Sequence, residues 1–410
     1  MIAGLKLLLG IVALIIGGFF LLFVLLTLYA PRYNFPDPKP FNGNQFYNPY
    51  QDLDTSRWLK ANFQVQSQVW GGITNGRHNR SEDVAELYHR LGYDFICFSD
   101  YQQINRYNEN SSLFIPAYEH GFGIRKWHQV CIGAQKVMWL DYPLWQTLSQ
   151  KQHIISKLGE ENDIVAIAHP KLLNSYPTTD FKFLSGYNLI EVFNQISCSE
   201  AHWDSALSTG HPAFILSDDD AHDISNPHLV ARYCTYIKAP VHSRQGVVSA
   251  LKSGKAYGAE LYMAEEDGYP EKIAYAGQMP YLRSARIVGE TFTVEVSQYP
   301  LSIRFIGQNG TTKSSVIGLK KASYLIRKDD TYIRAEILFP NKWGGPGTRF
   351  LLNPVFRYVG NNPVHMPEVS IDAAGTLINR GVALATFIFV LINIWFFRKK
   401  LYSRTKRGAE

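Results

Sequence analysis

Four stretches of this chain end in residues able to hold a cation or move a proton. DFICFS runs into Asp100, LFIPAY into Glu119, DIVAIA into His169, and AFILSDD into Asp220, Ala221 and His222. Each run is apolar, β-rich and of strand length. A lone strand-end Asp is ordinarily a helix cap, and a lone His an ordinary core residue with a hydrogen-bond partner. Carboxylates and imidazoles at four strand ends together have the composition of a Zn or Mn site. In parallel α/β folds the C-terminal strand ends form the active face, so the pattern points to metal chemistry there.

Strands and intervening helices must position that face. Strands are expected over 63–70, 94–100, 113–119, 128–134, 163–169, 189–195 and 213–220. Helices are expected over 82–91, with Ser81 as N-cap, Glu82 and Asp83 in the first turn and Gly92 as stop, over 143–158 from Pro143, and over 245–253. Several strands are continuous apolar runs, as in a parallel sheet buried on both faces. The βα repetition over 63–258 therefore predicts an α/β barrel or doubly wound sheet. Beyond residue 262 the texture changes to alternating strands at 291–297, 302–307, 332–338 and 350–358, without helices. A small antiparallel β-domain over 262–360 is expected.

In order, the segments VWGGITNGRHN, DFICFSDY, PAYEHG, KWHQVCIG, VAIAHP, LIEVFN and LSDDDAHD resemble the PHP (polymerase and histidinol phosphatase) superfamily. AIAHP, IEVFN and DDDAHD are the most specific, and the resemblance covers 63–258. It implies a distorted (β/α) barrel of PHP type around a divalent metal cluster, Zn or Mn, that hydrolyses phosphate esters. By the same resemblance Glu119 is the bridging carboxylate, His128 the imidazole that follows it, and His169 the HP ligand. Asp220 and His222 are the DxH pair, and His78 stands where the family has an early extra His. Apart from the resemblance, the strand-end carboxylates Asp100 and Asp220 are the candidate catalytic residues. Two departures stand out: Trp70 and Gly72 fall where the family has HxH, and Tyr101 replaces the His of TDH. One ligand set, Glu119, His128 and His169, is then complete, and the others are truncated. A single tight ion per chain is expected. Pro170 disfavours αR at His169 and predicts an extended residue there. Arg125 and Lys126, just before His128, read either as phosphate contacts or as solvated loop charges.

The chain has 410 residues and a formal net charge of +6. The tail from Arg398 to Glu410 carries +5 of it, Lys6 the rest, and 30–397 sums to zero. A phosphate-neutralising surface on the folded part is thus missing, which excludes a nucleic-acid binder of that kind. Residues 7–29 are apolar and uncharged apart from their flank, longer than a signal h-region, and are expected to be an uncleaved membrane span. A second span is expected at 381–397, bracketed by Arg380 and Arg398 and ending in Trp395, Phe396 and Phe397. The basic tail at 398–410 places both termini in the cytoplasm and the bulk of the chain outside, in a bacterium the periplasm. Residues 30–62 read as a tether and 361–380 as a linker. Cys97, Cys131, Cys198 and Cys234 match no metal knuckle or disulfide framework and read as buried free thiols.

Two functions follow. One is a membrane-anchored, PHP-like hydrolase acting on a phosphate ester on the extracytoplasmic side of the inner membrane. The other is a catalytically silent ectodomain of the same fold, serving as a binding or assembly module for an envelope component. The intact three-ligand set favours the first and the lost HxH favours the second.

Overall fold

The computed structural model describes residues 2–53, 57–72, 79–239 and 243–407. Two compact units emerge: Met1–Phe35 with Asp141–Ile154 and Val369–Glu410, and Pro36–Leu140 with Ile155–Glu368.

The first unit contains the long helices Ile2–Tyr29 and Ala373–Arg407. Within them, Leu8–Tyr29 and Ala373–Phe396 are long and apolar enough to cross a membrane. The second stretch begins earlier than the sequence suggested, because Ala373–Leu377 continues the same helix and takes Arg380 into it. The short strands Arg32–Asn34 and Ser370–Asp372 pair antiparallel and join the ends of these helices. Arg380 packs over the Tyr29 ring at 4.5 Å, and its Nε donates to the Tyr29 carbonyl at 3.4 Å.

The second unit is mixed α/β. Its central strands are β1 (Leu59–Val65), β2 (Phe95–Phe98), β3 (Ala117–His120), β4 (Gln129–Ile132), β5 (Ile164–Ile167), β6 (Leu189–Phe193), β7 (Phe214–Ser217), β8 (Tyr233–Ile237) and β9 (Ala256–Glu260). Strands β3 to β7 lie in chain order in one five-stranded sheet. β3, β4 and β5 pair antiparallel, and β5, β6 and β7 parallel. The sheet is therefore mixed where continuous apolar runs had suggested a parallel one. Such runs report only that both faces are buried, and Ile164, Val165, Ile167, Ile190, Ile215 and Leu216 are all 0–1% exposed.

β1 pairs parallel with β2 and antiparallel with β8, which leads to β9. No closed barrel forms among the described residues. The two sheets touch through single bridges at their C-terminal ends, Tyr101 to Glu119 and Val65 to Ala221. That seam gathers the strand-end loops into one place.

The sheet holding β1 continues past residue 262, because β9 pairs antiparallel with Pro346–Leu352. The expected strands beyond 262 are present, joined by the unexpected strands Leu282–Val288, Thr311–Ile317 and Lys321–Leu325, and two further differences appear. FLLNPVFRY splits into Pro346–Leu352 and Val355–Tyr358, and a helix, Tyr269–Ala276, forms where none was expected. Pro270 in its first turn and Glu271 bonded back to the Gly268 N–H supply its start. Earlier, the helix expected from Pro143 begins at Leu148. The first expected helix spans Ser81–Arg90 with Arg80 as the cap, and the Ser81 hydroxyl accepts from Asn105 Nδ2 at 3.0 Å. Cys97, Cys131 and Cys234 are buried free thiols, and Cys198 is half-buried.

Candidate metal centre

Three loops at the seam deliver the expected ligands. Glu119 lies on β3, His128 immediately precedes β4, and His169 follows β5. Gly121 makes the turn between the first two (φ +117), where an added Cβ would sit 2.6 Å from the Trp127 carbonyl and 2.9 Å from the His128 ring. Only glycine lets the chain double back so closely.

Glu119 Oε1 lies 2.6 Å from His128 Nδ1 and 3.2 Å from His169 Nε2. The two rings are 5.1 Å apart and nearly perpendicular. One ligand atom from each residue falls within 4.8 Å of the others, and all three side chains are buried. Although His128 Nδ1 is so close to the carboxylate, its orientation makes no hydrogen bond. Two imidazole nitrogens converge on one carboxylate oxygen, with His169 Nε2 as its hydrogen-bond partner, and the chemistry of this donor set fits a divalent cation.

The electrostatics divide the two imidazoles. Burial pushes the Glu119 carboxyl up, but the two imidazoles outweigh it and hold the carboxyl well below the usual range. Burial holds His128 down, which keeps it neutral as a ligand must be. His169 feels the same burial but is raised overall by its contact with Glu119.

His169 is not extended, contrary to the expectation from Pro170: its φ is +26°. Its N–H donates to Glu191 Oε2 at 2.7 Å, and its carbonyl accepts from Leu172 N at 2.8 Å. These bonds turn the chain sharply and swing the ring back to Glu119. Asp220 is likewise left-handed, at φ +50°. Such conformations cost roughly 1–3 kcal/mol each and concentrate at functional sites.

The other oxygen of Glu119 is already engaged. Gln66 Nε2 donates to Oε2 at 2.8 Å, and the Tyr101 phenol also bonds the carboxylate. β1 ends at Val65, and Trp70 lies beyond it in an exposed turn. The strand-end pair that meets Glu119's side of the seam is Gln64 and Gln66, both fully buried. Their Gln-x-Gln spacing puts them on one face of an extended strand, a signal available in the sequence. Burial, then Glu119, pushes the Tyr101 phenol far above its ordinary value, so it stays a proton donor.

Beside the expected Asp220 lie two further buried carboxylates missed from sequence, Glu191 and Asp218. Glu191 Oε1, Asp218 Oδ2 and Asp220 Oδ1 are buried without a hydrogen-bond partner. Burial and then mutual repulsion raise Glu191 well above its usual range, and Asp218 is raised in the same way. The IEVFN and DDD stretches were the visible clue.

The remaining expected residues sort differently. Asp220 and His222 are adjacent, with His222 Nδ1 2.7 Å from the Asp220 carbonyl oxygen, but neither joins the three-ligand set. His222 is partly exposed and stands at the mouth, its ring 6.1 Å from that of Tyr101. The Asp100 carboxylate is occupied by Ser67 N and Oγ, each at 2.6 Å, and by Asn105 at 3.1 Å. It holds a loop instead of facing the ligands. Asp219 accepts from Ala231 N, Arg232 N, Tyr233 N, Asn62 and Tyr88, again a structural clamp. His78 lies outside the described residues.

No protein-family model matches the chain, and no curated protein matches it. Among solved structures, one similar chain is a two-domain protein from Bacteroides vulgatus ATCC 8482 described as containing a predicted PHP-like metal-dependent phosphoesterase. The match has a TM-score of 0.36 and 14% identity, and covers 76% of this chain and 99% of that one. The reading of the site below rests on this chain's own residues.

Proposed function

We propose that this protein is a membrane-anchored, PHP-like metal-dependent phosphoesterase with a mononuclear centre. The observation that carries the reading is the buried Glu119–His128–His169 set, in which one carboxylate oxygen faces two imidazoles and the other is held by Gln66. A bridging carboxylate needs both oxygens for metal; this one has a single oxygen to give. The ligand chemistry suits Zn or Mn. A bound ion supplies Lewis acidity and lowers the pKa of a coordinated water. The chain's own groups do the rest. Tyr101, held neutral, donates toward the carboxylate and fills space at the mouth. Asp220 and Glu191 are buried carboxyls, raised mainly by burial, that could take and return a proton. Lys126, on the rim, offers a cation to a phosphoryl oxygen. The two apolar helices and the basic tail support an inner-membrane protein with its bulk outside the cytoplasm.

A second reading, a silent module of the same fold, is favoured by Gln64, Gln66 and Tyr101, which put amides and a phenol where the resemblance implies imidazoles. Elemental analysis of the purified chain after mild chelation, paired with a phosphate-ester assay, separates the two. About one retained ion with phosphate release supports the enzyme; one ion without release supports the module; no ion removes both metal readings.

A further inference from the structure

Next to Tyr101, whose ring packs against the ligand His128, stand two exposed indoles that the metal ligands do not explain. Trp70 donates from its indole N–H to the Tyr101 carbonyl at 2.7 Å, and its ring meets that of Trp139 edge-on, centroids 6.3 Å apart. Both indoles are exposed, at 47% and 59%. Lys126 Nζ lies 5.8 Å over the Tyr101 ring, and that ring is 5.4 Å from His128. Trp70 and Lys126 are both held left-handed, at φ +53° and +59°. Two residues with left-handed backbones thus flank the Tyr101 ring, which packs against His128. Exposed aromatics beside a buried polar site mark a surface kept for a ligand.

Resting on the phosphoesterase reading, we propose that the substrate is an amphipathic phosphate monoester, its phosphoryl group toward Lys126 and the metal ligands and its alcohol part a flat apolar ring lying in the corner between Trp70 and Trp139. An ammonium and two perpendicular indoles complement an anion joined to a ring. A small or fully polar alcohol leaves the indoles uncovered.

The test is equilibrium binding of two non-hydrolysable probes, phenylphosphonate and methylphosphonate, to the full chain in lipid nanodiscs loaded with Zn or Mn, read by tryptophan fluorescence and calorimetry. The phenyl probe should bind about tenfold tighter. In Trp70→Ala and Trp139→Ala the ratio should fall to about two, while Trp139→Phe keeps most of it. Equal affinities in the wild-type chain overturn the proposal, whatever the variants do. Hydrolysis assays keep the two readings apart. Phosphate esters cleaved without preference for an aryl group sink the indole corner and leave the enzyme. A tenfold binding ratio without turnover of any ester leaves the indole corner and sinks the enzyme.

Discussion

Gln66 Nε2 donates to Glu119 Oε2 at 2.8 Å, while Oε1 of the same carboxylate faces His128 and His169. A buried amide thus divides a carboxylate into one held oxygen and one offered oxygen. The side-chain carbonyl of Gln66 has no hydrogen-bond partner, so the contact is kept by the Nε2 end alone.

Replacing Gln66 with Leu removes that hold. Partners that orient metal ligands are worth about 10–100-fold in affinity, so chelator competition should show metal binding weakened by that factor with stoichiometry unchanged. Unaltered affinity would mean that Tyr101 alone positions Glu119.

His169→Ala should release the ion and abolish phosphate release while a soluble fold survives, because the surrounding core is aliphatic. If His169 is only a packed core residue, metal content stays and stability drops by roughly 1–3 kcal/mol through cavity and hydrogen-bond loss. Metal content and melting temperature measured on one preparation decide between these.

Asp100→Ala has the opposite signature. It strands the buried Ser67 N–H and hydroxyl and one N–H of Asn105. We expect a loss of about 2–4 kcal/mol in unfolding free energy and near-normal metal content. A folded, stable variant lacking activity would return Asp100 to the chemistry.

His202 and His211, away from the centre, are each pushed down to about 4, in both cases mainly by burial. A histidine whose folded value lies below its unfolded one favours the neutral form. Its contribution is complete above about pH 6.5 and is lost as pH falls toward 4, because the unfolded chain takes up the proton first. Glu191 and Asp218, raised by burial, act in the other direction over part of this range. The useful readout is therefore a difference. Between pH 7 and 5, wild type should lose about 2 kcal/mol more than His202→Gln/His211→Gln, a figure already reduced for the solvent near His202. Parallel stability curves for the two proteins would refute it.

Topology is checked with a reporter active only outside the cytoplasm. Fused after residue 360 it should be active, and fused after Lys400 silent. Activity at the C-terminal site removes the two-span arrangement.

The sequence by itself determined the apolar end segments, most of the strands, and the strand-end positions of Glu119 and His169, whereas His128 was marked only by the resemblance. Apart from His128, each is a local signal: a run of apolar residues, or a polar residue closing one. Which residues meet Glu119 was decided by the seam between two sheets, a contact between segments some fifty residues apart. No local pattern ranks Gln66, just past β1, above Trp70 in the turn that follows. Strand direction was equally non-local, since a run buried on both faces looks the same in parallel and antiparallel pairing. At His169 the local rule was overruled outright. Pro170 favours an extended residue, but the bond from His169 N–H to Glu191 and the pull of the ring toward Glu119 hold it left-handed. Asp100 and Asp220 read alike as strand-end carboxylates, and only packing separated them: Ser67 and Asn105 surround the first, while the second keeps an oxygen without a hydrogen-bond partner beside the ligands.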